Sequence, residues 1–465
     1  MAAFDFTRTP LKVPPVKTYF RCIKTAIPVP QSIPILERLY KFESRSMHGQ
    51  MPIVWDRAKD FQVFDKWGNC WIDFTSTIFV ANAGHANDAI STALRETLDQ
   101  DLLHTYTYAS EVRADFLQAL IECTPPELEK AYLVSAGTEA TETAFKLIRL
   151  YADKKKKRRH GVIAFDGSFH GRTLGAAQIS GTKAARRWIG FEDPDIFHLP
   201  YPYPWDEQGN PLSESGRIRF ERDMENLKEQ DIDVARDLGG VIFESYIGWA
   251  AAFFPPDYVQ AWAECARAND FLISFDEIQS GFGRTGKQFA YQHYDVTPDI
   301  ICCGKGISSS LPLAAVLGRA DVMDLPDVGS MSSTHSANPL SCAAGLANLR
   351  EIERLGLIEQ SCQKGDILHQ RLKELQRRYP DHISNILGAG MLASLIIRDL
   401  DTENGGGELA SHICECALRK GLLLVHTGRE SIKIGPPLTI PENALNEGLD
   451  VLEQSIDDVL KGRAR

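Results

Sequence analysis

Short, unbroken apolar segments recur through the middle of the chain, and they constrain the fold more than any other feature of the sequence. Seven of them lie between residues 131 and 318: AYLVSA (131–136), VIAF (162–165), FHLP (197–200), GGVIFE (239–244), FLISFDE (271–277), DIICCGK (299–305) and PLAAVLG (312–318). Most are continuous rather than alternating, which is typical of strands buried on both faces. Helical patterns such as 140–152 and 257–270 separate several of them. The sequence therefore predicts an α/β domain built on a largely parallel sheet.

The two ends of the chain follow a different pattern. Residues 61–75 predict a hairpin with Gly68-Asn69 at its turn, and long helical segments begin after about residue 340, with a last helix from Glu442. A chain of 465 residues exceeds what one hydrophobic core usually serves. We expect an N-terminal segment at 1–50, a large domain at 101–339, and a small domain built from 51–100 and 340–465.

Composition excludes several classes of partner. The net charge of −11 disfavours nucleic acid and anionic membrane surfaces, because nothing overall would neutralise their phosphates. There is no secretory leader, and no apolar stretch of the ~20 residues that a bilayer span needs. The ten cysteines suggest neither a disulfide framework nor zinc. We expect a cytoplasmic protein with reduced thiols, no bound metal, no nucleic acid and no membrane.

Two loops after predicted strands have the composition of a ligand cradle. Ser135, Gly137 and Thr138 leave one strand and enter a helix, where small residues and the helix N-terminus favour an anion. A plain N-cap explains this segment equally well. Phe169 stands on a glycine-flanked loop, where its ring can stack on a planar heterocycle or simply pack into the core.

Polar residues at the ends of two further strands suggest the chemistry. Asp276 ends a buried strand, where a carboxylate is costly unless it is paired, for example with a protonated pyridine nitrogen. Gln279, three residues on, can donate to a phenolic oxygen. Lys305 ends the next strand, and apolar surroundings there would lower its pKa and expose the neutral amine that attacks an aldehyde. A strand-end lysine that only reaches solvent is the alternative. GFGRTG (281–286) matches a dinucleotide fingerprint, but upstream carboxylates and the missing helix argue against it.

These segments together resemble the class III (subgroup II) aminotransferases of pyridoxal-5′-phosphate (PLP) fold type I, and the similarity runs from about Gly68 to Pro437. The matching segments are WIDFTSTIFVANAGH (71–85), SAGTEATE (135–142), FHGRT (169–173), FDEIQSGFGRTG (275–286), DIICCGKGISSSLPLAAVLGR (299–319), STHSANPLSCAAGLA (333–347) and IKIGPPLTI (432–440). The resemblance implies a large domain with a mostly parallel seven-stranded sheet and a smaller α/β domain from both chain ends. It also implies PLP as the cofactor and a homodimer, with a tetramer as the larger alternative.

The resemblance further implies a role for each matching residue. Lys305 would carry PLP as a Schiff base, and Asp276 would pair with the pyridine nitrogen. The other implied cofactor contacts are Ser135, Gly137 and Thr138 at the phosphate, Phe169 on the ring with His170 beside it, Gln279 near the phenolic oxygen, Glu244 in support, and Thr334 reaching the phosphate of the neighbouring subunit.

Two positions depart from the ornithine and 4-aminobutyrate enzymes of this family. Lys433 stands where they carry an arginine for a substrate carboxylate, and Trp249 stands where they carry the glutamate that pairs with it. We expect both residues to contact substrate. The predicted activity is transfer of an amino group from an amine or amino acid to a 2-oxo acid or aldehyde. A racemase or epimerase on the same scaffold is the main alternative; a decarboxylase, a non-enzymatic scaffold and an NAD-dependent dehydrogenase fit less well.

Overall fold

The computed structural model describes residues 4–205, 212–399 and 406–463. Within them the chain divides by its internal contacts into two compact units. The first comprises residues up to Asn87, Trp249–Ala251 and Gln360 onward, and the second comprises Asp88–Gly248 and Ala252–Glu359. Whether these units correspond to the domains expected from the sequence stays a prediction.

The second unit is built on a seven-stranded sheet, as the apolar segments predict. From one edge to the other its strands are Lys130–Val134, Ala314–Gly318, Ile300–Cys303, Leu272–Asp276, Leu238–Glu244, Gly161–Phe165 and Ile196–Leu199. Only Ala314–Gly318 runs antiparallel to its neighbours. The prediction of a mostly parallel sheet is confirmed, and all seven apolar segments form its strands.

The second unit also contains the following helices. They are Asp88–Asp99, Glu111–Glu122, Gly137–Lys154, Leu174–Ile179, Lys183–Arg186, Gly216–Glu229, Val234–Asp237, Pro256–Asn269, Ala320–Met323 and Pro339–Arg354, with short 3₁₀ turns at Arg187–Ile189, Ala290–His293 and Lys305–Ile307. The buried face of Gly137–Lys154 packs on the sheet through Ala144, Leu147 and Ile148. A short hairpin, Tyr246–Ile247 with Ala252–Phe253, follows the strand that ends at Glu244.

The first unit contains two smaller sheets. One is formed by Val16–Lys17, Cys22–Ile23, Cys70–Asp73, Gln62–Phe64 and Arg57–Lys59, with Leu422–Leu423 joining Cys70–Asp73. The other is the antiparallel set Ile383–Ala389, Leu392–Ile397, Ser431–Ile434 and Val425–His426. The helices here are Ile33–Phe42, Leu357–Arg378 (whose first turn belongs to the second unit), Gly407–Arg419 and Glu442–Arg463, with 3₁₀ turns at Pro30–Ser32 and Arg45–Met47.

The predicted hairpin at 61–75 is confirmed, with Gln62–Phe64 paired to Cys70–Asp73. Its turn is held by the Asp65 carboxylate, which accepts from the backbone amides of Trp67 and Asn69 at 2.9 Å each. Gly68 has φ +88°, a conformation that glycine adopts without a Cβ penalty.

A strained segment follows this hairpin. Ser76, Thr77, Ile78 and Phe79 all have positive φ, between 45° and 67°, although none is glycine. Such residues cost about 1–3 kcal/mol each unless their surroundings enforce them. Here Phe79 packs so closely on Gly435 that a Cβ at that glycine would lie 1.9 Å from the ring, and the Ser76 hydroxyl donates to the Gly435 carbonyl at 2.7 Å. The 435–440 segment therefore helps to hold the strained turn.

In the described part of the chain, no helix combines the length and the apolar character that crossing a membrane requires. Nor do the described His, Cys, Asp and Glu side chains form any group of three that could hold a metal ion.

Candidate active site

Polar side chains converge where the central strands of the seven-stranded sheet end. Asp276 and Glu244 are direct partners on neighbouring parallel strands. Lys305 lies two residues beyond the end of the next strand, Ile300–Cys303. The carboxyl ends of parallel strands are the usual place for a ligand site in an α/β sheet. The order of the strands thus brings together residues that are far apart in the sequence.

A cavity of about 350 Å³ opens at this position within the second unit. It is lined by Gly137, Thr138, Phe169, His170, Gly171, Arg172, Glu244, Tyr246, Asp276, Ile278, Gln279, Ser280 and Lys305. Eight of the residues predicted from the sequence are in this lining, namely Gly137, Thr138, Phe169, His170, Glu244, Asp276, Gln279 and Lys305.

Asp276 is buried and is supported by two hydrogen bonds. The ring of His170 lies 2.8 Å from one carboxylate oxygen through Nδ1, and the backbone amide of Ile278 donates to the other at 3.0 Å. A carboxylate only accepts, so the network assigns the Nδ1 proton to His170. The other ring nitrogen, Nε2, is buried without a partner among the described residues. These contacts keep the Asp276 charge directed at the cavity.

Glu244 is a second buried carboxyl group in the lining. It accepts from the backbone amides of Phe169 at 3.1 Å and Gly248 at 3.2 Å. Burial raises the pKa of Glu244 to about 7; nearby His170 opposes this shift and Asp276 adds to it. Through these bonds Glu244 fixes the loop that presents the Phe169 ring, which is half exposed to the cavity.

Lys305 has the properties of a reactive amine. Burial lowers its pKa, although the charges of Asp276 and Glu244 act in the opposite direction. Its backbone φ is +42°, in the left-handed region that a residue with a long side chain rarely adopts. Such strain persists only where the surroundings enforce it and is often found at functional sites.

The helix that begins at Gly137 offers backbone donors to an anion. Glu139 accepts from the amides of Ser135 at 2.8 Å and Ala136 at 2.9 Å. The amides of Gly137 and Thr138, in the first turn, have no acceptor within the helix. A Cβ at Gly137 would lie 3.0 Å from the Ile278 side chain, so any larger residue there would require Ile278 to shift. The Ser135 amide is already engaged by Glu139, and a contact between Ser135 and an anion stays a prediction.

Thr138 belongs to a hydrogen-bonded network with the following loop. Its hydroxyl lies 2.7 Å from that of Thr173, which donates to Glu142 at 2.6 Å. The same Glu142 oxygen accepts from the amides of Gly175 at 2.8 Å and Ala176 at 3.0 Å, and so caps the helix Leu174–Ile179. This network aligns the two loops that carry Thr138 and Phe169.

Ser135 and Thr334 are not among the residues that line the cavity. Thr334 is exposed, and its carbonyl accepts from His104 Nε2 at 2.8 Å in the same chain. The expected contact of Thr334 with a neighbouring subunit stays a prediction.

Trp249 and Lys433 lie in the first unit. The guanidinium carbon of Arg429 stands 3.7 Å from the Trp249 ring centroid, and the Ser431 hydroxyl donates to the Trp249 carbonyl at 2.8 Å. Lys433 is buried, and its ammonium group is 4.5 Å from the centroid of the Phe79 ring. Both cations therefore rest on aromatic faces, an attraction that does not need a carboxylate.

Several lining residues escaped the sequence analysis, above all Ile278, Arg172 and Tyr246. An isoleucine after a buried strand looks like part of the core, and no local pattern separates the two roles. Arg172 was within a matching segment, and its guanidinium lies 5.4 Å from the Phe169 ring centroid. Its place in that segment, three residues after Phe169, was the sequence signal that could have identified it.

Comparison with known proteins agrees with this geometry. The model of the family "Aminotransferase class-III" matches residues 44–456. The chain belongs to the class-III aminotransferase family. That match covers most of the chain, so it includes both the strand ends of the cavity and the Lys433 region of the first unit.

The relatives of this aminotransferase carry different activities in their names. It is 32% identical over 447 residues to a 4-aminobutyrate aminotransferase of Mycobacterium leprae, covering 94% of this chain and 98% of that protein. It is also 31% identical over 442 residues to a leucine/methionine racemase of Thermococcus litoralis, with coverage of 92% and 96%.

Solved structures show the same fold. A Bacillus anthracis aminotransferase superimposes with a TM-score of 0.82 at 25% identity, covering 92% of this chain and 99% of that one. The prediction of PLP fold type I is confirmed by such neighbours.

Proposed function

We propose that this class-III aminotransferase binds PLP in the cavity of the second unit and transfers an amino group from an amine or amino acid to a 2-oxo acid or aldehyde. The observation that carries the proposal is the meeting of Lys305, Asp276 and Phe169 in one cavity beside a helix N-terminus. An amine, an anion, an aromatic face and an anion cradle are what this cofactor requires from a protein.

The residues present fit the cofactor group by group. The first-turn amides of Gly137 and Thr138 would hold the phosphate. Asp276, oriented by hydrogen bonds from His170 and the Ile278 amide, would pair with the pyridine nitrogen. Phe169 would cover one face of the ring, and Gln279 would donate to its hydroxyl oxygen. Glu244 would keep the Phe169 loop in place.

Lys305 would have two tasks. Its amine, whose pKa is lowered by burial, would attach the cofactor aldehyde. Once the substrate amine has replaced it, the freed amine would take the proton from the substrate α-carbon and return it during product formation. When bound, PLP supplies a ring that stabilises negative charge at that carbon. Asp276 would support this by pairing with a protonated pyridine nitrogen.

A panel of amino donors tests the proposal. Each donor is first added alone to the purified protein, and the visible absorption band of the cofactor is followed. A 2-oxo acid is then added, and the new amino acid is measured. A true donor should bleach the band, and the 2-oxo acid should then restore it and take up the nitrogen. Protein that shows no band and binds no PLP would contradict the cofactor assignment.

Racemisation is the second candidate, because a relative of similar identity is named a racemase. A racemase also breaks the bond from the α-carbon to hydrogen, but it returns the proton on the opposite face and leaves the nitrogen in place. In deuterated water it would interconvert the enantiomers of an amino acid with solvent exchange and without a 2-oxo acid. That result, with no amino transfer in the panel, would favour the racemase.

We also propose that Trp249 and Lys433 set the choice of donor. Lysine cannot form the bidentate hydrogen bonds that arginine makes with a carboxylate, and Trp249 offers a broad apolar face. The preferred donor would then be a bulky amine or amino acid rather than 4-aminobutyrate or the δ-amino group of ornithine. Arg429, which rests on Trp249, is the alternative carboxylate receptor.

The quaternary structure and location are part of the same proposal. Thr334 would reach the phosphate of a second subunit, so the active form would be a homodimer. The proposed location of this homodimer is the cytoplasm. Sedimentation at a series of dilutions, with activity measured in parallel, tests this. Full activity in a monomer would contradict a shared site.

A further inference from the structure

Two cysteines face each other across neighbouring strands of the sheet in the first unit. Cys22 begins the strand Cys22–Ile23 and Cys70 begins Cys70–Asp73, and they are direct partners in the antiparallel register. Direct partners point to the same face, with Cα atoms about 4.5–5.5 Å apart. A disulfide needs a Cα separation of about 4.4–6.8 Å. The pair thus satisfies the main distance requirement of a disulfide.

The two thiols have different surroundings. Cys22 is half-buried, whereas Cys70 is buried and its Sγ lies 3.5 Å from the Phe20 carbonyl and 3.4 Å from the Gln62 amide nitrogen. Burial, and then the neighbouring Cys22, raise the pKa of Cys70 to about 11. At neutral pH Cys70 therefore stays a thiol, and an oxidant arriving from solvent meets Cys22 first.

Other cysteines that lie close together are placed differently. Cys302 and Cys303 are consecutive in one strand, so their side chains point to opposite faces of the sheet. Cys414 and Cys416 are two residues apart on one helix, a spacing at which side chains do not face each other. Cys303 lies near Cys123 but is fully buried, which keeps oxidants away.

We propose that Cys22 and Cys70 form a reversible intrachain disulfide when the protein meets a peroxide. The Cys22 sulfur attacks one peroxide oxygen and the O–O bond breaks, giving a sulfenic acid and one water. The Cys70 sulfur then attacks the Cys22 sulfur, which forms the S–S bond and releases the hydroxyl as a second water with the Cys70 proton. The two thiols lose two electrons, the peroxide gains them, and a dithiol reverses the change.

The bond would tie the N-terminal segment to a strand that leads into the strained turn Ser76–Phe79. It would close a long loop of the unfolded chain, from residue 22 to residue 70, and so lower the entropy of that state. Oxidation should therefore raise the thermal midpoint of the protein. This inference does not depend on the reaction that the protein catalyses.

The test uses the full-length protein with its cofactor, treated with hydrogen peroxide, alkylated, and digested without reduction. We expect a linked peptide that contains Cys22 and Cys70, a Tm higher by a few degrees, and reversal of both by dithiothreitol. Cys22→Ser should lose the linkage and the rise in Tm. Cys362→Ser, which removes an exposed cysteine outside the pair, should behave as the wild type.

Alkylation of both Cys22 and Cys70 after peroxide treatment would overturn the proposal, as would a linkage of either to another cysteine. A linked peptide without a rise in Tm would overturn the stabilising effect. If Cys22→Ser does not fold, Cys22→Ala replaces it, and the wild-type peptide map still decides whether the bond forms.

Discussion

Two buried lysines of this protein lie in contrasting surroundings. Lys305, in the second unit, lines a cavity with the carboxyl groups of Asp276 and Glu244. Lys433, in the first unit, holds its ammonium group over the Phe79 ring. A carboxyl group can exchange protons and orient a charged ligand, whereas an aromatic face attracts a cation without offering a proton acceptor. We propose a chemical role for Lys305 and a recognition role for Lys433.

The largest effect is expected from the substitution of Lys305. Lys305→Ala should keep the fold but lower turnover by ~10³-fold or more, because the attachment point and the proton carrier disappear together. Steady-state kinetics measure the loss. Borohydride reduction followed by peptide mapping should place the cofactor on Lys305 in the wild type.

Lys364 provides the control, because it is also buried and its pKa is lowered, to about 8, by burial. Its ammonium group donates to the carbonyl of Ile440 at 2.9 Å, an interaction that needs no cofactor. Lys364→Met should leave the label on Lys305. Label on Lys364 or on any other lysine would refute the assignment.

The adjacent carboxylates Asp276 and Glu277 allow a sharper test within the second unit. Glu277 is fully buried and accepts from the amides of Ala290 at 2.9 Å and Tyr291 at 2.6 Å, so its contacts are structural. Asp276→Asn should lower kcat/KM on the order of 10²–10³-fold, since it removes the carboxylate that would pair with the pyridine nitrogen of the cofactor. Glu277→Gln should lower the free energy of unfolding instead. Equal losses of activity would mean that Asp276 has no special role.

The pKa of Glu244 predicts a pH dependence of stability. Because the folded pKa is raised to about 7, the folded protein binds more protons than the unfolded chain between the two pKa values. The stabilising contribution is present in full below the unfolded pKa and is lost as the pH rises through about 7. In the cofactor-free wild type, the free energy of unfolding should fall between pH 5 and pH 8. In Glu244→Gln that fall should be smaller by ~1–3 kcal/mol.

Urea denaturation at the two pH values measures that difference. Glu264→Gln is the matched control, because Glu264 is exposed and its pKa is lowered by a hydrogen bond from Arg217. It should leave the decline unchanged. An identical decline in Glu244→Gln and the wild type would show that Glu244 does not titrate in this range.

The smallest effect concerns recognition by the first unit. The wild type should prefer a bulky amine over 4-aminobutyrate and ornithine in kcat/KM. Lys433→Arg would add a bidentate contact to a carboxylate. The ratio of kcat/KM for 4-aminobutyrate to that for the bulky amine should therefore rise by about tenfold, or ~1.4 kcal/mol. A wild-type preference for 4-aminobutyrate or ornithine by more than about tenfold would contradict the proposed role of Lys433 and Trp249.

Strand positions were predictable because the signal for them is local. A continuous apolar run such as VIAF (162–165) marks a strand buried on both faces whatever lies beside it. The hairpin at 61–75 was predictable for the same reason, since the turn residues Gly68 and Asn69 lie between the strands they connect.

The contacts of the candidate site were less predictable. His170 was expected beside Phe169, but its hydrogen bond to Asp276 joins residues 106 positions apart. Ile278 could not be told from a core residue, and nothing in the sequence showed that Glu139 would occupy the Ser135 amide. Each of these depends on which loops meet at the sheet edge.

The sequence by itself determined the strands of the seven-stranded sheet, the main helices and the candidate groups of the site, because periodicity and residue chemistry are properties of short segments. The tertiary structure decided which of those groups share a cavity, which partners orient Asp276, and why the pKa of Glu244 rises to about 7. Those properties arise from burial and from partners distant in the chain. The order of strands in the sheet brings these distant residues together.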